Sequence, residues 1–136
     1  MFLLDTNIVS ESRKPKPHGG VMAWLDAQES NALFISAMTI GELQRGVEIT
    51  REQDETKAAQ IESWLEQIIN SGQLLPLDAA VCREWARLMH GKSDTLADDA
   101  FIAATARVNG LTVVTRNVRD FNALGVATLN PFVKVA

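Results

Sequence analysis

The first strand-like run of the chain, Phe2-Leu3-Leu4, is apolar at every position and stops on Asp5. A strand with one solvated face alternates apolar and polar residues; a run without alternation is the pattern of a parallel strand covered on both sides. Residues 111–115, LTVVT, are the same kind of run, with high β-branched content, and they break off into Arg116 and Asn117. Further short strands are expected at 32–36 (ALFIS), at 74–77 (LLPL, where Pro76 fits only an edge or an end) and near 126–128. Residues 21–29, 37–50, 55–70 and a segment marked by Val81, Trp85, Leu88 and Met89 have apolar positions at helical spacing. Residues 95–109, apolar on most sides and closed by Gly110, read as an interior helix. Residues 13–20, RKPKPHGG, read as a loop and 116–121 as a turn. Strands alternating with helices predict βαβ units: an α/β fold with a central, mostly parallel sheet between helical layers. With 136 residues and no linker or repeat, the reading is one domain spanning 1–136.

In an open sheet of this kind, ligands bind beyond the carboxyl ends of the strands, which is where Asp5 falls. Two helices carry further acids near their starts, Glu42 on one and Asp98 and Asp99 on the other. If these ends face one crevice, carboxylates converge and repel each other strongly at low effective dielectric. Such a cluster must be protonated or hold a cation, and oxygen ligands suit a hard ion such as Mg²⁺ or Mn²⁺. That pairing serves phosphate-ester chemistry, in which the ion screens the phosphate and activates a water. Each acid also has a plainer use. Asp5 has the chemistry of a helix N-cap, and Glu42 stands three residues after Thr39, as in a capping box. Asp98 and Asp99 suit the positive end of their helix. Helical rotation sets Asp99 in a stripe with Ile102, Ala103 and Ala106, where a carboxylate is costly unless partnered. Gly46, one turn beyond Glu42, leaves room beside it. Thr115, Asn117 and Asp120 are either water- or metal-positioning groups or ordinary turn residues.

Composition narrows the alternatives. Two histidines and a single cysteine make a structural zinc site improbable. Cys82, with no partner for an internal disulfide, fits a reducing cytoplasm and reads as core filling. No apolar run approaches the roughly 20 residues that cross a bilayer. The net charge of −4 argues against a broad nucleic-acid surface, though Arg13, Lys14 and Lys16 cluster, as do Arg116 and Arg119. Neither G-x-G-x-x-G nor G-x-x-x-x-G-K-[ST] occurs, which disfavours dinucleotide and nucleoside triphosphate binding.

Four segments, in order and over essentially the whole chain, resemble the PIN-domain ribonucleases of the VapC and FitB type: LLDTNIVSE (3–11), ISAMTIGELQRGV (35–47), DAFIAATA (99–106) and GLTVVTRNVRDF (110–121). The resemblance implies a compact three-layer α/β/α domain and an endoribonuclease toxin of a type II toxin–antitoxin pair. It implies Asp5, Glu42 and Asp99 as catalytic acids holding Mg²⁺ or Mn²⁺, with the fourth ligand open between Asn117 and Asp120. A homodimer is implied, with a cognate antitoxin whose tail fills the acidic cleft. DNA would be bound only through that antitoxin. On this reading Thr6, Asn7 and Thr115 orient the acids, and Arg116 or Arg13 steers the RNA backbone. A haloacid-dehalogenase-type phosphatase would also begin with a strand-end aspartate but needs D-x-D, and Asn7 stands at its second acid. The remaining alternative is a catalytically silent PIN-like module that acts only by forming the antitoxin complex and repressing its operon.

Overall fold

The structure, a computed structural model, describes residues 1–133; the last three residues of the expected 1–136 domain lie outside the described residues. Five strands form one sheet: β1 (Phe2–Leu4), β2 (Leu33–Ser36), β3 (Leu74–Leu75), β4 (Thr112–Val114) and β5 (Thr128–Leu129), in the order β3-β2-β1-β4-β5. Every pairing is parallel, so the sheet is wholly rather than mostly parallel. Leu3 of the central strand sits opposite Phe34 on one side and Val113 on the other.

Among the described residues, seven α-helices connect and cover these strands: α1 (Thr6–Glu11), α2 (Gly19–Asp26), α3 (Ala37–Arg51), α4 (Glu55–Ile69), α5 (Ala79–Met89), α6 (Ala97–Asn109) and α7 (Val118–Ala123). Because side chains alternate across a strand, the non-alternating run at β1 feeds two cores. Leu3 and Val113 pack with Ile102, Ala103 and Ala106 of α6 and Phe121 of α7. Leu4 and Val114 pack on the opposite face with Ile8, Val9 and Val21, flanked by Trp24 and Trp64. The result is a three-layer α/β/α arrangement. Helix α6 is the interior helix expected, with Ala100 and residues 102–106 buried. Its small side chains let it lie close against the sheet, and Gly110 closes it in the left-handed conformation at φ 66°. Truncating Leu3, fully buried between the sheet and helices α6 and α7, would cost about 2–5 kcal/mol.

Four expectations need correcting. Residues 116–121 are not merely a turn, since helix α7 starts at Val118. The loop at 13–20 ends earlier than expected: His18 caps α2, its Nδ1 accepting from the Val21 N–H at 3.3 Å, so both glycines lie in the helix's first turn. The last strand is at Thr128–Leu129 rather than 126–128. Cys82 is exposed on α5 rather than in the core. Among the described residues, no helix is long and apolar enough to cross a membrane.

Candidate active site

From β1 the chain winds outward through β2 and β3, then returns to the other side of β1 for β4 and β5. The reversal leaves a crevice between the carboxyl ends of β1 and β4, the position where open α/β sheets take ligands. Asp5 continues β1 into this crevice, its N–H donating to the Val114 carbonyl at 2.9 Å. Its buried carboxylate is tied on both oxygens. Oδ1 accepts from the Thr6 N–H at 2.7 Å, making Asp5 the N-cap of α1. Oδ2 accepts from the Thr115 hydroxyl at 2.7 Å and from the Asn7 amide at 3.2 Å. The clamp extends outward, with the Asn117 N–H donating to Thr115 Oγ1 at 2.9 Å and the Arg116 N–H to Asn7 Oδ1 at 3.3 Å. Cap and pocket residue are therefore one role for Asp5.

Glu42 is not part of a capping box. Helix α3 starts three residues earlier than that reading needs, capped by Ser36, whose hydroxyl accepts from the Met38 N–H at 3.0 Å. One turn into the helix, Glu42 instead turns toward α1, where the Thr6 hydroxyl donates to its Oε1 at 2.8 Å. The buried Thr39 hydroxyl lies 3.1 Å from the same Thr6 oxygen. Thr6 thus links the elements carrying Asp5 and Glu42.

Asp99, in the first turn of α6, completes the set. Asp5, Glu42, Asp99 and Asn117, with Lys14 and Arg116 at the rim, line one pocket of about 410 Å³. The neighbouring Asp98 turns toward Arg45, at 3.9 Å. Asp120 is exposed on α7 and does not line the pocket, although its charge is felt at Asp99. Arg13 is also absent from the pocket lining; its guanidinium sits over the Trp64 ring at 5.8 Å, beside a neighbouring groove that includes Glu42 and Gly46.

The electrostatics follow from this crowding. Burial raises the Asp5 carboxyl above its ordinary range, opposed by the hydrogen bonds from Thr115, Thr6 and Asn7. Burial likewise raises Glu42; the Thr6 bond opposes it, and the charges of Asp5 and Asp98 add to it. Asp99 is pushed up to about 6, first by burial and then by the charges of Asp5, Glu42, Asp120 and Asp98. All of its surroundings act in the same direction. The acids share the pocket without closing on one point: among the described residues, no three acidic, histidine or cysteine side chains stand at the spacing of metal ligands. The donor set is nonetheless all oxygen and carries three carboxylates, the chemistry that fits a hard divalent cation.

Three pocket residues escaped the sequence reading: Ser10, Glu11 and Phe132. Glu11 is buried at the end of α1, where Oε2 pairs with Lys14 Nζ at 2.8 Å and Oε1 accepts from the His18 N–H at 2.7 Å. The Lys14 bond leads in holding its carboxyl below the usual range. Glu11 therefore pins the 12–18 loop against the pocket and brings Lys14, rather than Arg13, to the rim. Its sequence signal was its place at the end of the 3–11 motif, three residues before Lys14. Phe132 forms part of the wall and had no sequence signal, since it reaches the site from a loop beyond β5.

The PIN domain family matches residues 2–126. Toxin FitB of Neisseria gonorrhoeae is 39% identical over 140 residues, covering 97% of this chain and 99% of that protein. VapC ribonuclease Y4jK of Sinorhizobium fredii is 36% identical over 139 residues, covering 97% of this chain and 98% of that protein. The solved structure of FitAB bound to an IR36 DNA fragment superposes with a TM-score of 0.86 at 35% identity, covering all of this chain and 99% of the other. With the family's motifs in order and its fold reproduced around the acidic crevice, the chain belongs to the PIN-domain family, beside relatives of the FitB and VapC type.

Proposed function

We propose that this protein is a metal-dependent endoribonuclease, the toxin of a type II toxin–antitoxin pair, acting in the cytoplasm. The observation that carries this reading is the gathering of Asp5, Glu42 and Asp99, from three distant parts of the chain, around one open pocket. The names of two relatives, a toxin and a ribonuclease, support it.

Asp5, Glu42 and Asp99 would hold Mg²⁺ or Mn²⁺, with Asn117 rather than the outlying Asp120 as a further oxygen donor. The bound ion would supply charge to screen the phosphate and lower the pKa of a water. The chain's own groups do the rest. Thr6, Asn7 and Thr115 fix the Asp5 carboxylate in one orientation, as hydrogen bonds beyond the direct ligands do in metal sites generally. Thr6 fixes Glu42 against the same centre. Lys14 and Arg116, at the pocket rim, draw the RNA backbone across the acids. In this reading the antitoxin occupies the same cleft and supplies the DNA contacts of the pair, and the toxin is a homodimer. The structure of a FitAB relative on DNA is consistent with DNA binding by the pair.

Cleavage of mixed single-stranded RNA in Mg²⁺ tests the proposal. The native protein should cut and lose the activity in chelator, and Asp99→Asn should cut roughly 10³-fold more slowly with unchanged circular dichroism. A folded native protein that leaves RNA intact would reject the enzyme and leave the silent antitoxin-binding module.

A further inference from the structure

Across the Phe132 side chain from the acidic pocket lies a second hollow of about 530 Å³, in the usual range of ligand sites. Phe132 is the common wall of the two. Where the first is lined by carboxylates, the second is lined by His18, Trp24, Leu129, Asn130 and Phe132. We infer that this hollow is a nucleobase subsite, receiving a base next to the RNA phosphate held at the acids.

The hollow's polar and aromatic groups are fixed in place. The His18 ring leans on Phe132, centroids 4.9 Å apart at 54°. Its backbone N–H is held by Glu11 at 2.7 Å, and its Nδ1 is committed to the cap of α2. That leaves Nε2 as the ring's N–H donor. The Arg116 guanidinium also lies over the Phe132 ring, 4.6 Å from the centroid. Asn130 accepts the Phe132 N–H with Oδ1 at 3.0 Å, leaving its amide NH₂ as a donor. Gly20 makes the tight approach possible: a Cβ there would stand 3.0 Å from His18 Cε1 and 3.1 Å from the Pro131 carbonyl. The HGG sequence, which reads as a plain loop, is thus what brings α2 against the chain beyond β5.

Chemistry selects the occupant. A flat ligand in the hollow meets the side chains of Trp24, His18 and Phe132, the last already bearing a cation, together with the amide of Asn130. Single-stranded RNA is recognised through that combination of stacking and edge hydrogen bonds. The Arg116 guanidinium, which reaches both the acidic pocket and Phe132, stands where the chain of an RNA would pass from one to the other.

This inference rests on the nuclease reading, and the test separates the two. A short single-stranded RNA and a set of versions each lacking one base are titrated into ¹⁵N-labelled full-length protein. The indole N–H resonance of Trp24 is followed, assigned from a Trp24→Phe sample, and cleavage of each RNA is measured in parallel. One abasic version should bind roughly tenfold more weakly, the lower range for a stacked base, and should fail to move the Trp24 resonance. Because the change is made in the RNA, the binding and cleavage comparison uses native protein throughout, and Trp24→Phe serves only to assign the resonance. Cleavage that continues with Trp24 stationary and all abasic versions equivalent would overturn the base subsite and leave the nuclease standing. Neither binding nor cleavage would overturn both.

Discussion

Asp5 and Asp99 line the same pocket and are held in opposite ways. Asp5 is buried at the end of the central strand and receives donors from Thr6, Asn7 and Thr115. Asp99, in the first turn of α6, is surrounded by burial and by four like charges, all raising its pKa. One acid is pre-oriented by the fold, while the other is left as charge unbalanced by protein. The difference is what a cation site built on a rigid sheet edge needs: a fixed ligand to set position and an unsatisfied one whose repulsion the ion relieves.

The comparison can be sharpened by removing the clamp alone. Thr115→Val deletes the 2.7 Å bond to Asp5 and the acceptor for the Asn117 N–H while keeping the side chain's shape. RNA cleavage in saturating RNA should fall about 10- to 100-fold, with part of the loss recovered at high Mg²⁺. Unchanged activity would show that Asp5 needs no such orientation.

Stability offers the sharpest contrast, because the two acids should respond with opposite sign. Asp5→Ala removes a helix cap and strands the buried Thr115 hydroxyl. It should cost about 1–2 kcal/mol, read as a drop in denaturation midpoint. Asp99→Asn should instead stabilise the metal-free protein at neutral pH. The folded-state pKa of about 6 lies above the ordinary carboxyl value of 3.8, so the folded protein binds the extra proton between those values. Wild-type stability therefore falls as pH rises from about 4 to 6 and stays lowered above it. Asp99 is partly solvated, so the gain is discounted to about 1 kcal/mol, or about 3–5 °C in melting temperature at pH 7.5. It should vanish below pH 4. A destabilised Asp99→Asn at neutral pH would break the contrast.

The same pair shows what the chain made legible. The non-alternating Phe2–Leu4 run implied a strand covered twice, and it does sit in the middle of the sheet, feeding both cores. Rotation along helix 95–109 favoured Asp99 over Asp98 only modestly, and the register of the DAFIAATA motif in the family resemblance made the choice. Short elements gave no such signal. Helix α7 has six residues, too few for a period, and reads as a turn. Glu42 looked like half of a capping box because Thr39 precedes it by three residues, although a helix beginning at residue 37, as expected and found, takes its cap from Ser36. Cys82 follows Val81 by one residue, which on a helix turns it about 100° from the buried stripe into solvent. Glu11 carried a local signal in Lys14 three residues on, whereas Phe132 reaches the site through the path of the chain beyond β5, which no local pattern encodes.

The central claim is that these acids together bind one divalent centre, and calorimetric titration of Mn²⁺ measures it directly. The native protein should bind Mn²⁺, and Asp5→Asn, Glu42→Gln and Asp99→Asn should each weaken binding by at least about tenfold while remaining folded. Binding that is absent in the native protein, or unchanged by all three substitutions, would contradict it.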